Sequence, residues 1–181
     1  MIIVISGDPG SGKSTLREKL KQTTGFPDFY AGGFWRSRIP KGEDIDIFYK
    51  KLASNPHAER ELDAYQAEIM RKEKNLIIEG RVTPFLAPEI PKIKIFLRVS
   101  PEEGAKRLSN RKEYNGLPLE EIQKRTAERI DTERARYEKL YGISDHLNTA
   151  WFDIVINTTS KNQNEVFEST WLVLEHYPYQ I

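Results

Sequence analysis

The chain opens with Met1-Ile-Ile-Val-Ile-Ser6 and runs directly into Gly7-Asp8-Pro9-Gly10-Ser11-Gly12-Lys13-Ser14-Thr15. The residues between Met1 and Ser6 are all β-branched, a pattern typical of a strand buried on both faces of a parallel sheet. The glycine-rich segment that follows satisfies the spacing G-x-x-x-x-G-K-[ST], and a helical pattern comes next. The stretch therefore predicts the central strand of an α/β fold, then a loop, then a helix.

Gly7–Thr15 has the composition of a loop that binds phosphate. Its glycines let the backbone curl until successive N–H groups point inward, and the following helix N-terminus adds roughly half a positive charge. We expect Lys13 to reach the β- and γ-phosphates of a nucleotide and to be solvated otherwise. The hydroxyl of Ser14 is positioned to ligate Mg²⁺.

Four further apolar runs predict the other strands of the sheet. They are Asn75–Ile78, Ile93–Leu97, Asp153–Ile156 and a weaker run at Phe29–Ala31. Helical patterns lie between them, and alternation of strands and helices indicates a mostly parallel sheet covered on both faces. We therefore predict a three-layer α/β sandwich around a five-stranded sheet.

Local signals mark where several helices begin. Asn55-Pro56 reads as an N-cap followed by proline, and Ala58, Leu62, Tyr65 and Ile69 would share one face of that helix. Ser100–Glu103 has the spacing of a capping box. Further helices are predicted from Leu119 to about Leu140 and from about Asn164 to His176.

Composition bounds the protein's class. The 181 residues include 28 basic and 27 acidic side chains, no cysteine and 38% hydrophobic residues. Near-neutral charge argues against a nucleic-acid partner, and the lack of cysteine excludes thiol chemistry and cysteine-ligated metal. The apolar N-terminal run is too short for a signal peptide or a membrane span. We expect a single domain over residues 1–181 that is cytoplasmic, monomeric and bound to no membrane.

Two arginines follow predicted strands and should face a ligand. Arg36 comes after the second strand and Arg81 after the third, in Ile77-Ile-Glu-Gly-Arg81. In an open α/β sheet, ligands bind outside the carboxyl ends of the strands. A phosphoryl transfer between two nucleotides gathers negative charge that arginines neutralise well. The pair therefore favours an acceptor that is already phosphorylated.

A second group of arginines lies on two helical segments joined by the glycine–proline stretch 113–118. This arrangement suggests a lid over about residues 107–136 that closes on the bound nucleotides and excludes water. Arg125, Arg129 and Arg136 share a helix face at this spacing. Acidic residues are interleaved, so some of the arginines are expected to form surface ion pairs instead. The group comprises Arg107, Arg111, Arg125, Arg129, Arg134 and Arg136.

Other polar and aromatic residues offer weaker signals. Glu79 ends the third strand, where a carboxylate can hold a water bound to Mg²⁺. Trp35 is placed either to stack on a base or to pack in the core. His57, His146 and His176 share no spacing with carboxylates that would suggest a metal site, and we expect them at the surface.

Beyond the phosphate loop, the sequence resembles the short, archaeal-type cytidylate kinases, a family of P-loop nucleoside monophosphate kinases. The resemblance covers nearly the whole chain. It is carried by Ala31-Gly32 with Arg36, Pro56 with Glu61-Leu62-Asp63, Glu79-Gly80-Arg81, the stretch Arg129–Tyr137, Tyr141-Gly142-Ile143, and Phe152–Thr158.

The resemblance implies Mg²⁺-dependent transfer of the ATP γ-phosphoryl group to CMP or dCMP. Under it, Gly7–Thr15 binds ATP, a segment over about residues 32–74 binds the monophosphate, and Asp153–Thr158 ends near the adenine. Lys13, Arg129 and Arg134 would be catalytic, and Ser14 and Glu79 would hold the metal ion. Substrate binding would fall to Arg36, Asp63, Arg81 and Asp131, the last lying with Arg129 and Arg134 in a run that resembles one contacting CMP in longer bacterial enzymes.

Two other functions fit parts of the pattern. One is a P-loop kinase for a different small acceptor, such as another nucleotide, a nucleoside or a hydroxy acid. The other is a nucleotide-binding regulator without enzymatic activity. The chain carries no Asn-Lys-x-Asp motif for reading guanine, and a switch protein has little use for an arginine-lined lid.

Overall fold

All strand pairings in the central sheet are parallel. The computed structural model describes residues 1–177. Its five-stranded sheet has the order β2-β3-β1-β4-β5, which confirms the predicted architecture and makes the sheet wholly parallel. The strands are β1 (Ile2–Gly7), β2 (Asp28–Tyr30), β3 (Leu76–Glu79), β4 (Ile93–Arg98) and β5 (Ile154–Asn157).

The apolar run at the N-terminus is central because both faces of β1 are covered. Ile3 and Ile5 point to one layer, where they join Leu16 and Leu20 in the larger core cluster. Val4 points the other way, into a cluster that includes Ile78 and Met70. Each fully buried aliphatic side chain contributes about 1.5–3 kcal/mol. A strand with this pattern is stable only in the middle of the sandwich.

The helices begin close to the residues that the capping signals predict. The Asn55 side chain accepts a hydrogen bond from the Ala58 amide at 3.4 Å, and the last helix starts with a complete capping box at Asn162. The helices are α1 (Lys13–Thr24), α2 (Ala31–Arg36), α3 (Ile45–Ala53), α4 (Pro56–Lys72), α5 (Pro101–Ser109), α6 (Leu119–Tyr141) and α7 (Gln163–Glu175).

Two details of the predicted helices are wrong. Tyr65 is 47% exposed rather than part of the buried face of α4, which carries Leu62, as predicted, and Met70. The capping box at the start of α5 is half formed. Ser100 accepts from the Glu103 amide, but the Glu103 carboxylate accepts from Arg107 Nε at 2.9 Å. The Glu103 carboxylate therefore bonds the Arg107 guanidinium instead of the Ser100 backbone N–H that a complete capping box requires.

The sheet order fixes where a ligand can bind. The chain leaves β1 with β3 on one side and β4 on the other, so the phosphate loop lies at the switch point where α/β sheets open a crevice. Among residues 1–177, none of the helices combines the length and the apolar character needed to span a bilayer.

Candidate active site

The phosphate loop is shaped by glycines at close contacts. A Cβ added to Gly10 would lie 2.4 Å from the carbonyl oxygen of Gly104, so only glycine fits there. Gly12 is the N-cap of α1 with φ +92°, a left-handed conformation that favours glycine. The first turn of α1 contains no acidic residue. The positive end of the helix is therefore available to an anion.

Lys13 is held by the loop itself. Its Nζ donates to the carbonyl oxygen of Gly7 at 2.9 Å and to that of Asp8 at 2.6 Å. The expectation that Lys13 is solvated without phosphate is therefore wrong. Burial, together with the positive charge of Arg81, lowers the pKa of the Lys13 ammonium to about 7. Phosphate oxygens arriving in the loop would favour the charged form.

ATP binding is expected to be accompanied by proton uptake at Lys13. Near pH 8, a lysine with a pKa of about 7 is mostly neutral, and phosphate would recharge it by raising that pKa. We expect uptake of roughly one proton per ATP at that pH, with ATP affinity falling as the pH rises above about 7. Titration calorimetry in buffers of different ionisation enthalpy measures this uptake. Lys13→Met is the control, and equal uptake by that variant would contradict the assignment.

The backbone carbonyl of Asp8 binds Lys13 inside the loop, whereas its side chain bonds a residue outside the loop. Its Oδ2 accepts from the Val99 amide at 3.0 Å, which ties the loop to the end of β4. Pro9, Gly10, Gly12, Lys13 and Ser14 line the main cleft. Ser11 and Thr15 line an adjoining groove with Arg107, Lys161, Asn162 and other residues.

Arg107 is fixed at this groove instead of being free to move in a lid. Its Nη2 donates to the Thr158 carbonyl at 2.7 Å, and its Nη1 donates to the Thr158 hydroxyl at 3.1 Å. These bonds join α5 to the end of β5. The α5 side of this groove is therefore held in place by the residue that follows β5.

Ser14 and Glu79 meet as a possible metal site. Ser14 Oγ donates to Glu79 Oε1 at 3.0 Å, and Arg17 Nε donates to the other carboxylate oxygen at 3.1 Å. A hydroxyl and a carboxylate are the hard oxygen ligands that Mg²⁺ prefers. Within residues 1–177 no group of three or more His, Cys, Asp or Glu could hold a metal.

Arg81 and Arg129 converge on one buried carboxylate in the main cleft. Arg81 Nη1 donates to Glu133 Oε2, and Arg129 Nε donates to Glu133 Oε1 at 3.0 Å. Lys13 lines the same cleft. The structure therefore brings together the strand-end arginine and one of the arginines predicted on the long helix.

Arg36 lines the same cleft as Arg81 and Arg129. It donates to the Tyr30 hydroxyl and its Nε is 3.5 Å from a carboxylate oxygen of Glu113. Trp35 also lines the cleft and is not among the buried core residues. Both arginines that follow strands thus face the same cavity.

Asp63 lines the cleft as part of a buried polar network. Gln66 Nε2 donates to Asp63 Oδ1 at 3.0 Å, and the Tyr141 hydroxyl donates to Oδ2. Thr83 Oγ1 donates to Gln66 Oε1 at 2.6 Å. Burial raises the pKa of the Asp63 carboxyl, against the hydrogen bonds from Tyr141 and Gln66 that lower it.

Two predicted site residues lie outside the cleft. Arg134 pairs with Asp145 at 3.2 Å and with Asp131 at 3.4 Å, and the Asp131 side chain is 75% exposed. Successive helical residues rotate by about 100°, so the face that directs Arg129 and Glu133 inward turns Arg134 and Asp131 toward solvent. In this structure neither can act on a ligand in the cleft, contrary to the expectation.

Sequence reasoning also missed several cleft residues. Arg111 and Arg136 line the cleft but were grouped only with the lid arginines. Glu133 was one of many acids on a charged helix. His146 is completely buried, contrary to the surface position predicted for it. Glu133 can be distinguished from its acidic neighbours only if it is known which face of the helix points into the cleft.

Comparisons with known proteins agree with this geometry. A family model described as an AAA domain matches residues 3–140. The chain is 32% identical over 177 residues to a cytidylate kinase of Methanopyrus kandleri, covering 92% of this chain and 89% of that protein. It is 34% identical to a cytidylate kinase of Thermococcus kodakarensis, covering 97% and 89% of the two chains.

Solved structures show the same fold at low sequence identity. The shikimate kinase of Acinetobacter baumannii superposes with a TM-score of 0.62 at 16% identity, covering 98% of this chain and 94% of that one. The shikimate kinase of Aquifex aeolicus gives a TM-score of 0.59 at 21% identity, covering 99% of both chains.

The parallel sheet, the glycine loop with Lys13 and the arginine-lined cleft define a P-loop kinase fold with a site for phosphorylated ligands. Within that class, the curated relatives reported above are cytidylate kinases. The chain belongs to the archaeal-type cytidylate kinase family.

Proposed function

We propose that this protein transfers the γ-phosphoryl group of ATP to CMP or dCMP, giving ADP and the diphosphate. The observation that carries the proposal is the pair Arg81 and Arg129, held together around Glu133 in the cleft that Lys13 also lines. Two guanidinium groups at one point suit the dianionic phosphate of a nucleoside monophosphate. Membership of a family whose relatives are cytidylate kinases selects the acceptor.

Phosphoryl transfer is accelerated mainly by alignment of the two substrates and by positive charge, and it needs no covalent intermediate with the protein. A phosphate oxygen of the acceptor forms a bond to the γ-phosphorus while the bond to the β–γ bridging oxygen breaks, and its electron pair leaves with ADP. Lys13 would neutralise the β- and γ-phosphates and Arg129 the transferring group. Mg²⁺, held by Ser14 and Glu79, would supply further neutralisation of phosphate charge.

The network around Asp63 supports recognition of cytosine. A carboxylate accepts hydrogen bonds only, and cytosine offers an exocyclic amino group where uracil offers a carbonyl oxygen. Asp63 is oriented by Gln66 and Tyr141, so its geometry is set before the acceptor arrives. We propose that Asp63 reads the base while Arg36 and Arg81 hold the acceptor phosphate.

Separate segments of the chain are assigned to the acceptor, to the lid and to ATP. We propose that the segment of about residues 32–74 binds the monophosphate. We propose that the lid is the part of the predicted 107–136 segment that follows Ser109, because Arg107 is held by Thr158. ATP would bind along Gly7–Thr15 with its adenine toward the groove that Lys161 and Asn162 line. A cytoplasmic location and a monomeric state remain predictions.

An ADP-release assay with each of CMP, dCMP, UMP, AMP and GMP tests the function. We expect turnover with CMP or dCMP that exceeds turnover with the other acceptors. Preferential use of another monophosphate would replace the proposed acceptor. ATP binding without turnover on any acceptor, including unphosphorylated hydroxy acids and nucleosides, would favour the regulator instead.

Replacing Arg81 by methionine is expected to weaken CMP binding about 30- to 100-fold, the range of a lost charge-assisted contact. ATP binding should change much less, because the Arg81 guanidinium is assigned to the acceptor phosphate. Titration calorimetry with each ligand measures both effects. Arg60→Met, an exposed arginine on α4, is the matched control. Equal losses for ATP and CMP would make Arg81 a general structural residue.

A further inference from the structure

The carboxylate of Glu133 binds the same two guanidinium groups that are proposed to bind the acceptor phosphate. Glu133 is only 4% exposed and accepts hydrogen bonds from both Arg81 and Arg129. Its negative charge would repel an acceptor phosphate brought to the same guanidinium groups. A cleft built to bind a dianion therefore contains a buried anion of its own.

His146 lies directly behind this carboxylate. Its side chain is fully buried, and within residues 1–177 neither ring nitrogen has a hydrogen-bond partner. The ring packs edge-on against Tyr137 with centroids 5.0 Å apart, and Nε2 is 3.6 Å from Glu133 Oε2. That distance is slightly too long for a hydrogen bond. A small rotation of the Glu133 side chain would close it.

The protonation state of His146 suits a neutral donor. Burial lowers the pKa of the His146 imidazole to about 3, and the positive charge of Arg81 contributes. A neutral imidazole carries one N–H that can donate. A buried donor without an acceptor is costly, and so is a buried carboxylate without a donor. Each group could satisfy the other if the arginines were engaged elsewhere.

We propose that Glu133 and His146 form an acceptor-triggered exchange. When the acceptor phosphate binds Arg81 and Arg129, the Glu133 carboxylate turns away from them and accepts a hydrogen bond from His146 Nε2. When the product leaves, Glu133 returns to the arginines. This inference rests on the proposed function, and both residues are positioning residues rather than catalytic ones.

The exchange would explain why a phosphate site contains a carboxylate. In the ligand-free cleft, Glu133 keeps two positive side chains together that would otherwise repel each other. During release, it competes with the product phosphate for the same guanidinium groups. His146 makes the opposite step possible, because it gives the displaced carboxylate a buried partner.

Nuclear magnetic resonance on the whole protein observes the exchange directly. The chain has 3 histidines, so a ¹⁵N-histidine-labelled sample gives an uncrowded spectrum. Saturation with CMP is expected to shift the His146 Nε2–H proton downfield and protect it from solvent exchange. The exposed His57 and His176 should not move, and Glu133→Leu, which leaves no side-chain acceptor, should abolish the His146 shift.

Substitutions test the same step through affinity. His146→Phe keeps the ring but removes the donor, so CMP affinity should fall about 10-fold, the size of one lost hydrogen bond to a charged group. ATP affinity should change less than about 2-fold. His146→Gln, which retains a side-chain N–H donor, should restore part of the CMP affinity. In a Glu133→Leu background, where the acceptor is gone, the added His146→Phe change should no longer lower CMP affinity.

The outcomes separate this inference from the proposed function. If the wild-type protein binds and phosphorylates CMP but the His146 signals do not move, Glu133 stays on the arginines and the exchange is wrong. An equal loss from His146→Phe with and without Glu133 would likewise reduce His146 to packing. Absence of CMP binding and turnover in the wild type would overturn the proposed function, and the exchange with it. If His146→Phe does not fold, the wild-type spectrum still decides.

Discussion

Lys13→Met is expected to lower kcat at least ~1,000-fold, the upper range for loss of one preorganised charge on a transferring group. No other residue of the phosphate loop is basic, so nothing within the loop replaces its charge. The variant also leaves the carbonyl oxygens of Gly7 and Asp8 without the ammonium that now bonds them. We therefore expect ATP binding to weaken as well, with the fold retained.

Turnover and far-UV circular dichroism on the same preparation check this expectation. Lys72→Met, which removes an exposed lysine paired with Glu68 on α4, controls for the loss of a positive charge. Near-normal turnover of Lys13→Met would show that the loop does not bind the donor phosphates. A variant that loses its helical signal would show that Lys13 is needed to fold the loop.

The second large effect is expected for Arg129→Ala, with a fall in kcat of at least ~100-fold. When transfer is loose and dissociative, no carboxylate base is required and positive charge supplies much of the rate. Arg129 lines the cleft, and the proposed exchange would release it from Glu133 when the acceptor binds. ATP affinity should change less than kcat.

Arg134→Ala is the matched control on the same helix. Arg134 bonds Asp145 and Asp131 at the outer side of α6, so kcat should stay within about 3-fold of the wild type, as for ordinary surface changes. A large loss from Arg134→Ala with little effect of Arg129→Ala would mean that the helix turns its other face to the substrate during turnover.

The phosphate loop could be predicted from sequence because its information is local. Strand, glycines, Lys13 and the helix start are consecutive in the chain, and each supports the same structure. Arg81 and Glu79 were also predictable, because the end of a parallel strand determines which edge of the sheet they reach. Helix α3 was not predicted.

The acceptor side was less predictable because its partners are far apart in sequence. Arg81 and Glu133 are separated by 52 positions, and a local pattern cannot show that they meet. On α6, charged residues occupy every face, so periodicity could not tell Arg129 from Arg134. His146 reads as polar and was placed at the surface, although the fold buries it against Tyr137.

The contact between Gly10 and Gly104 determines which part of the protein can move. A Cβ on Gly10 would meet the backbone of Gly104, and one on Gly104 would lie 2.8 Å from the Pro9 carbonyl oxygen. The phosphate loop and the start of α5 are therefore packed too closely to move apart easily. The hydrogen bond from Arg107 to the Thr158 carbonyl also holds α5 against the end of β5. The lid proposed above would therefore hinge after Ser109 and be shorter than residues 107–136, and Arg129 on α6 would belong to its moving part.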